Sequence, residues 1–203
     1  EVNTSAQKAN TGWNLVGNPY QCFYNSHCLN FTAPITVWDA YNRKYIAYSI
    51  TDDDYAIRPN EAFFVQCPNE EYNTIGFPLQ GRQFTDVIAS QNAAPAKNHV
   101  QKERMLVNVV LTAGDKSNDE TRVVLNEKAS LDYELACDAS KFPSMDNSVP
   151  QLFTLDADGT RYAINERPSG DGVVKMGLYV SAGGTYTISI GRCDVEKVML
   201  VDY

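Results

Sequence analysis

Apolar residues recur at every second position along most of the chain. In 172–181, GVVKMGLYVS, the residues Val174, Met176, Leu178 and Val180 fall on one face. In 185–190, TYTISI, Tyr186, Ile188 and Ile190 alternate with small hydroxyl residues. This is the period of half-buried strands, and the AGG between the two segments predicts a hairpin turn. The same period runs through 104–112 (RMLVNVVLT), 121–126 (TRVVLN), 151–156 (QLFTLD), 161–165 (RYAIN) and 197–203 (KVMLVDY), so the second half reads as antiparallel β. The first half is built from shorter, more aromatic runs: WNLV, ITVW (35–38), KYIAYSI (44–50), EAFFVQC (61–67) and NTIGF (73–77), separated by Asn, Asp, Gly and Pro. Within 12–20, GWNLVGNPY, Trp13 and Leu15 share one face and Gly17-Asn18-Pro19 ends the strand, because the residue before a proline leaves the helical region and Asn tolerates turn geometry. This predicts a core strand and its turn. No helix follows to make a phosphate cradle. Only 129–142, ASLDYELACDASKF, hints at a helical turn.

Turn signals about every ten residues are the mark of a sandwich or jelly roll. Between the halves, 89–103 (ASQNAAPAKNHVQKE) is rich in Ala, Asn, Gln and Lys and lacks periodicity over its first ten residues. The expected architecture is therefore all-β, with two tandem antiparallel β-sandwich domains of jelly-roll or immunoglobulin-like type. An aromatic-rich N-terminal sandwich spans 1–92, a linker 93–103, and a C-terminal sandwich 104–203.

Composition narrows the function classes. The 203 residues are 43% hydrophobic and 21% charged, enough for one sizeable core or two modest ones, and the net charge of -8 disfavours a nucleic-acid partner. No apolar run approaches the roughly 18 residues of a membrane span. A first residue of Glu1 with no signal-peptide core behind it predicts a processed or excised N-terminus.

Candidate chemistry is thin. Five cysteines, Cys22, Cys28, Cys67, Cys137 and Cys193, are odd in number and irregularly spaced, unlike a disulfide framework. Cys22 and Cys28 flank His27, but there is no C-x-x-C pair and no second nearby histidine, so buried thiols or one local bridge outweigh zinc. His27 beside Cys28 is the only nucleophile–base candidate, and adjacent strand residues point to opposite faces. DADGT (156–160) has its glycine too early for a calcium loop and predicts a tight hairpin turn; Asp52, Asp53 and Asp54 predict a solvated turn. Glu61, Glu127 and Glu166 are the carboxylates available for acid/base work, with nothing in the sequence bringing two of them together. No cofactor or metal is expected.

Taken in order, GWNLVGNPY, ITVWDAYNRKYIAYS, DDYAIRPNEAFFVQ, TRVVLNEKASLDYE, DASKF, VPQLFTLDADGTRYAINERP and GGTYTISIG resemble a module near the C-terminus of large secreted surface proteins of Bacteroides-type gut bacteria. The resemblance covers about 12–203. It implies tandem β-sandwiches, an extracellular or outer-membrane-associated cell-surface setting, neighbours such as leucine-rich-repeat regions, and no catalytic residues. Members of that family continue past the VMLVDY-like strand, so 196–203 is expected to be an edge strand prone to homo-association.

Binding has one sequence signal. Ile35 and Val37 share a face, which turns Trp38 to the other; Ile46, Tyr48 and Ile50 share a face, which turns Tyr45 away. If the aliphatic sides form the core, Trp38 and Tyr45 point outward, with Tyr41 and Tyr55 in nearby loops, as a platform for sugar rings or peptide side chains. The competing expectation is that both faces are covered. The leading expectation is a non-catalytic structural and adhesion module that meets a glycan or a host or surface protein. A carbohydrate-binding module is the first alternative and a glycoside hydrolase or other hydrolase the second.

Overall fold

A computed structural model describes residues 8–67, 74–88, 104–170 and 172–202. The expected linker, 93–103, lies outside the described residues. Among the described residues there is no α-helix, only two single 3-10 turns, Ser26–Cys28 and Leu79–Gly81. The chain is all-β, as its period-two patterning predicts. It divides into two compact units: the N-terminal half together with Asp132–Ser140, and the C-terminal half together with Ala40–Lys44.

The first unit holds β1 (Trp13–Gly17), β2 (Phe23–Asn25), β3 (Ile35–Asp39), most of β4 (Lys44–Tyr48), β5 (Ala56–Ile57), β6 (Ala62–Gln66) and β7 (Arg82–Gln83). Four of these form a sheet in the order β1-β6-β3-β4, and three form another in the order β5-β2-β7. The registers Val16↔Phe63, Asn14↔Val65 and Val37↔Phe63 place Phe63, Val65, Ile35 and Val37 on one face, and these four are almost completely buried. Phe77 links the two sheets: its ring meets Phe63 at 6.2 Å and Tyr24 of β2 at 5.2 Å. Tyr24 is fully buried, and a Cβ on Gly81 would stand 2.4 Å from its ring, so only glycine fits at the end of that 3-10 turn.

GWNLVGNPY is a strand and its turn, with one correction to its reading as a core strand. β1 is an edge strand, and its Trp13/Leu15 face is the face away from Phe63 and Val65, leaving Leu15 62% exposed. The turn is held by Asn18, which is buried. Its amide reaches the carbonyls of Cys22, Ile57 and Arg58 at 2.9, 3.3 and 3.0 Å, its Oδ1 accepts from Tyr20 N, and its own N–H donates to Glu61 O. One side chain thus pins the loop after β1 to the segment after β5.

The second unit contains β8 (Met105–Ala113), β9 (Asn118–Leu125), β11 (Gln151–Leu155), β12 (Arg161–Arg167), β13 (Lys175–Tyr179) and β14 (Tyr186–Cys193); the two-residue β10 (Ala139–Ser140) falls within 132–140. The six strands run in the order β13-β11-β12-β9-β8-β14. Val107, Val109 and Leu111 of β8 cluster with Leu152 of β11, three strands away across the sheet, and Met176, Tyr186 and Ile188 pack against them. The sheet therefore curls over its own core. DADGT is the expected hairpin turn between β11 and β12: Asp156 Oδ1 accepts from the N–H groups of Asp158 and Thr160, and Gly159 takes φ +83°. Buried Lys141 and Asp119, 2.6 Å apart, tie the segment after β10 to β9, and Asp119 also accepts from Leu152 N.

Three expectations fail here. The pairing of β9 with β12 is parallel, so this half is not purely antiparallel. The AGG segment makes no hairpin: β13 pairs with β11, β14 pairs with β8, and the two lie at opposite edges of the sheet. Finally, 197–202 forms no strand. β14 shifts register between Ile190 and Cys193, and Asp194 then turns the chain. Asp194 N donates to Leu106 O at 2.9 Å, and its carboxylate accepts from Leu106 N and from Arg192. The helical hint in 129–142 resolves to one turn, in which the N–H groups of Cys137 and Asp138 both donate to Glu134 O.

Candidate functional site

The face of the β1-β6-β3-β4 sheet opposite the buried Phe63 is where the aromatic candidates gather. Strand alternation puts Trp38 and Thr36 of β3 on it, and the register Thr36↔Phe64 and Leu15↔Phe64 adds Phe64 and Leu15. Tyr45 of β4 completes a row, its ring 4.9 Å from Trp38 and 6.1 Å from Phe64. Trp38, Tyr45 and Phe64 are each partly exposed. At the β6 end, Gln66 is buried, and its amide donates to the carbonyls of Lys8, Ala9 and Thr11, while its Oε1 accepts from Tyr133 Oη. Burial raises the pKa of Tyr133, keeping it a donor at physiological pH.

The rings do not lie flat. Trp38 and Tyr45 are inclined by 58°, and Tyr45 and Phe64 by 71°. Tilted and edge-on geometry is how aromatic side chains pack on one another, and it offers a pyranose ring no common plane. Of the sequence candidates, the structure brings Trp38 and Tyr45 together. Tyr55 is elsewhere: it stacks on Tyr48 at 3.9 Å, and Tyr48 alternates with Tyr45 to the opposite face. Its hydroxyl donates to Glu61 Oε2, and burial together with that bond raises its pKa. Tyr41 lies in the turn after β3, 92% exposed, in a segment that belongs to the second unit. Phe64 and Leu15 were missed, because the adjacent pair Phe63-Phe64 must split between the faces and its sequence does not say which goes outward.

His27, Glu61, Glu166, Asp52 and Asp53 are engaged in bonds within the fold. His27 has Nδ1 2.5 Å from Ile50 O and Nε2 2.9 Å from Asp54 Oδ1, so both ring nitrogens are occupied, and Cys28 beside it is buried. Glu61 accepts from Tyr55 Oη, Arg58 N and Arg58 Nη1. Glu166 is buried against Arg104 and accepts from Asn126. Asp52 and Asp53 bond the hydroxyl and the N–H of Ser49. None of the five cysteines forms a disulfide, and Cys28 and Cys67 are buried. Among the described residues no group of three or more His, Cys, Asp or Glu stands where it would hold a metal ion, and no helix is long and apolar enough to cross a membrane. No protein-family model, curated protein or solved structure matches the chain.

Proposed function

We propose that the chain is a non-catalytic structural and adhesion module of a secreted or cell-surface protein, made of two tandem β-sandwiches. One observation carries this: His27, Glu61 and Glu166, the histidine and two of the acids suited to catalysis, are each engaged by groups of the fold itself. His27 bonds Ile50 O, Glu61 the Arg58 turn, and Glu166 the Arg104 and Asn126 side chains. In unit one, two sheets share Phe77; in unit two, one sheet closes over Leu111 and Leu152. The setting rests on the resemblance to surface modules of Bacteroides-type bacteria.

A carbohydrate-binding role is favoured by one fact alone, that Trp38, Tyr45 and Phe64 line the sheet face opposite the core and keep part of their surface. Their mutual tilt weighs towards packing. The 203-residue chain is to be screened against a glycan array and immobilised surface proteins, with turnover of chromogenic glycosides and esters followed in parallel. Retention of a ligand without turnover is the expected result, and turnover lost in Glu61→Gln or Glu166→Gln would overturn the proposal. Trp38→Ala divides the two roles: a partly buried ring packed on Tyr45 should cost about 2–3 kcal/mol in urea melts, and glycan binding that vanishes at unchanged stability would favour the carbohydrate role.

A further inference from the structure

Four consecutive apolar residues follow the turn at Asp194, and all are exposed: Val198 by 43%, Met199 by 71%, Leu200 by 66% and Val201 by 56%. Among the described residues this is the longest such run. Lys197 and Asp202, also exposed, bound it, and no residue from 197 to 202 belongs to a strand. Contiguous exposed apolar surface of this kind marks an interaction site more often than a free surface.

The sequence of the run says what fits it. Laid antiparallel on a copy of itself and centred between Met199 and Leu200, the segment sets Lys197 opposite Asp202, Val198 opposite Val201 and Met199 opposite Leu200, each pair occurring twice. Opposite charges directly across a strand pair are favourable and like charges are not. Shifting the register by two residues in either direction removes both Lys197–Asp202 pairs. Only the centred register matches the charges, and it is two-fold symmetric, as an isologous dimer requires. We propose that 197–202 pairs as an antiparallel strand with the same segment of a second copy, forming a homodimer. The apolar side chains then lie across from one another on both faces of the ribbon, and backbone groups with no strand partner acquire one. A pair of six-residue strands is well below the roughly 800 Å² per partner of a standard interface, and an isolated two-stranded ribbon is marginal. The dimer is accordingly weak and concentration-dependent.

The test is sedimentation equilibrium on the full 203-residue chain at low to high micromolar concentration. The unsubstituted chain is compared with Lys197→Asp, Asp202→Lys and the double charge swap. Because these side chains are exposed, the far-UV spectrum is expected to stay unchanged. Each single substitution places like charges opposite one another twice and should weaken association about five- to tenfold; the double swap should restore it. Hydrogen exchange should show 197–202 protected only at concentrations where dimer forms. A chain that stays monomeric throughout, a dimer indifferent to the single substitutions, a double swap that does not recover, or protection of 197–202 in the monomer would each overturn the proposal.

Discussion

Single side chains do much of the joining in this molecule, and Asn18 is the clearest case. Buried, it satisfies the carbonyls of Cys22, Ile57 and Arg58 at once. Asn18→Ala should cost about 2–4 kcal/mol, since it leaves buried acceptors without a donor, and Asn18→Asp should cost more by placing a carboxylate against them; urea midpoints measure both. Asp156 shows the acid side of the same economy of groups. Burial by itself would raise its pKa, but the Tyr162 hydroxyl and the N–H groups of Thr160 and Asp158 donate to it and bring the net shift below the ordinary carboxylate value. A depressed folded-state pKa contributes stability that is present above the unfolded value of about 4 and is lost as pH falls through the folded value. Tyr162→Phe should therefore cost about 1–2 kcal/mol at pH 7, and its deficit should shrink as the midpoints are remeasured towards pH 2.

At the scale of strands, facing pairs decide what the sheet tolerates. Phe153 of β11 lies opposite Gly177 of β13, and a Cβ on Gly177 would come within 2.4 Å of its ring, over which the Arg161 guanidinium lies 4.7 Å from the centroid. Gly177→Ala should destabilise by about 1–3 kcal/mol through overpacking, and the additional Phe153→Leu should recover part of that loss in thermal melts. Most of the longer strands were legible, because alternation such as Tyr186, Ile188, Ile190 is a local property, but 197–202 and 74–77 show that a strand-like pattern without a pairing partner does not make a strand. Pairing was not legible. The AGG between β13 and β14 looks like a hairpin turn locally, yet what places those strands is burial against Val107, Val109 and Leu111 some 80 residues earlier in the chain. The outward turn of Trp38 and Tyr45 could be read for the same reason that strands could, by counting positions. The identity of their neighbour Phe64 required the β3–β6 register, which no single strand contains.

For the whole molecule, the order of residues and the order of assembly diverge. Asp132–Ser140 belongs with the first unit and Ala40–Lys44 with the second, and Tyr133 Oη donates to Gln66 of β6. A chain truncated after residue 103 lacks that donor and should exchange the β6 amides faster than the full chain by hydrogen-exchange mass spectrometry; equal protection would show that 132–140 is dispensable. Within the second unit, β8 pairs with β14, joining Val107 to Cys193. Such distant contacts slow folding, because a long loop must close before they contribute. During vectorial synthesis the β14-facing edge of β8 stays unpaired, and Val107, Val109 and Leu111 lack the cover of Tyr186 and Ile188, until residues 186–193 have emerged. The nascent chain therefore passes through a sticky stage whose length is set by translation, and a ribosome stalled before residue 186 should hold a species that recruits chaperones while the finished chain does not.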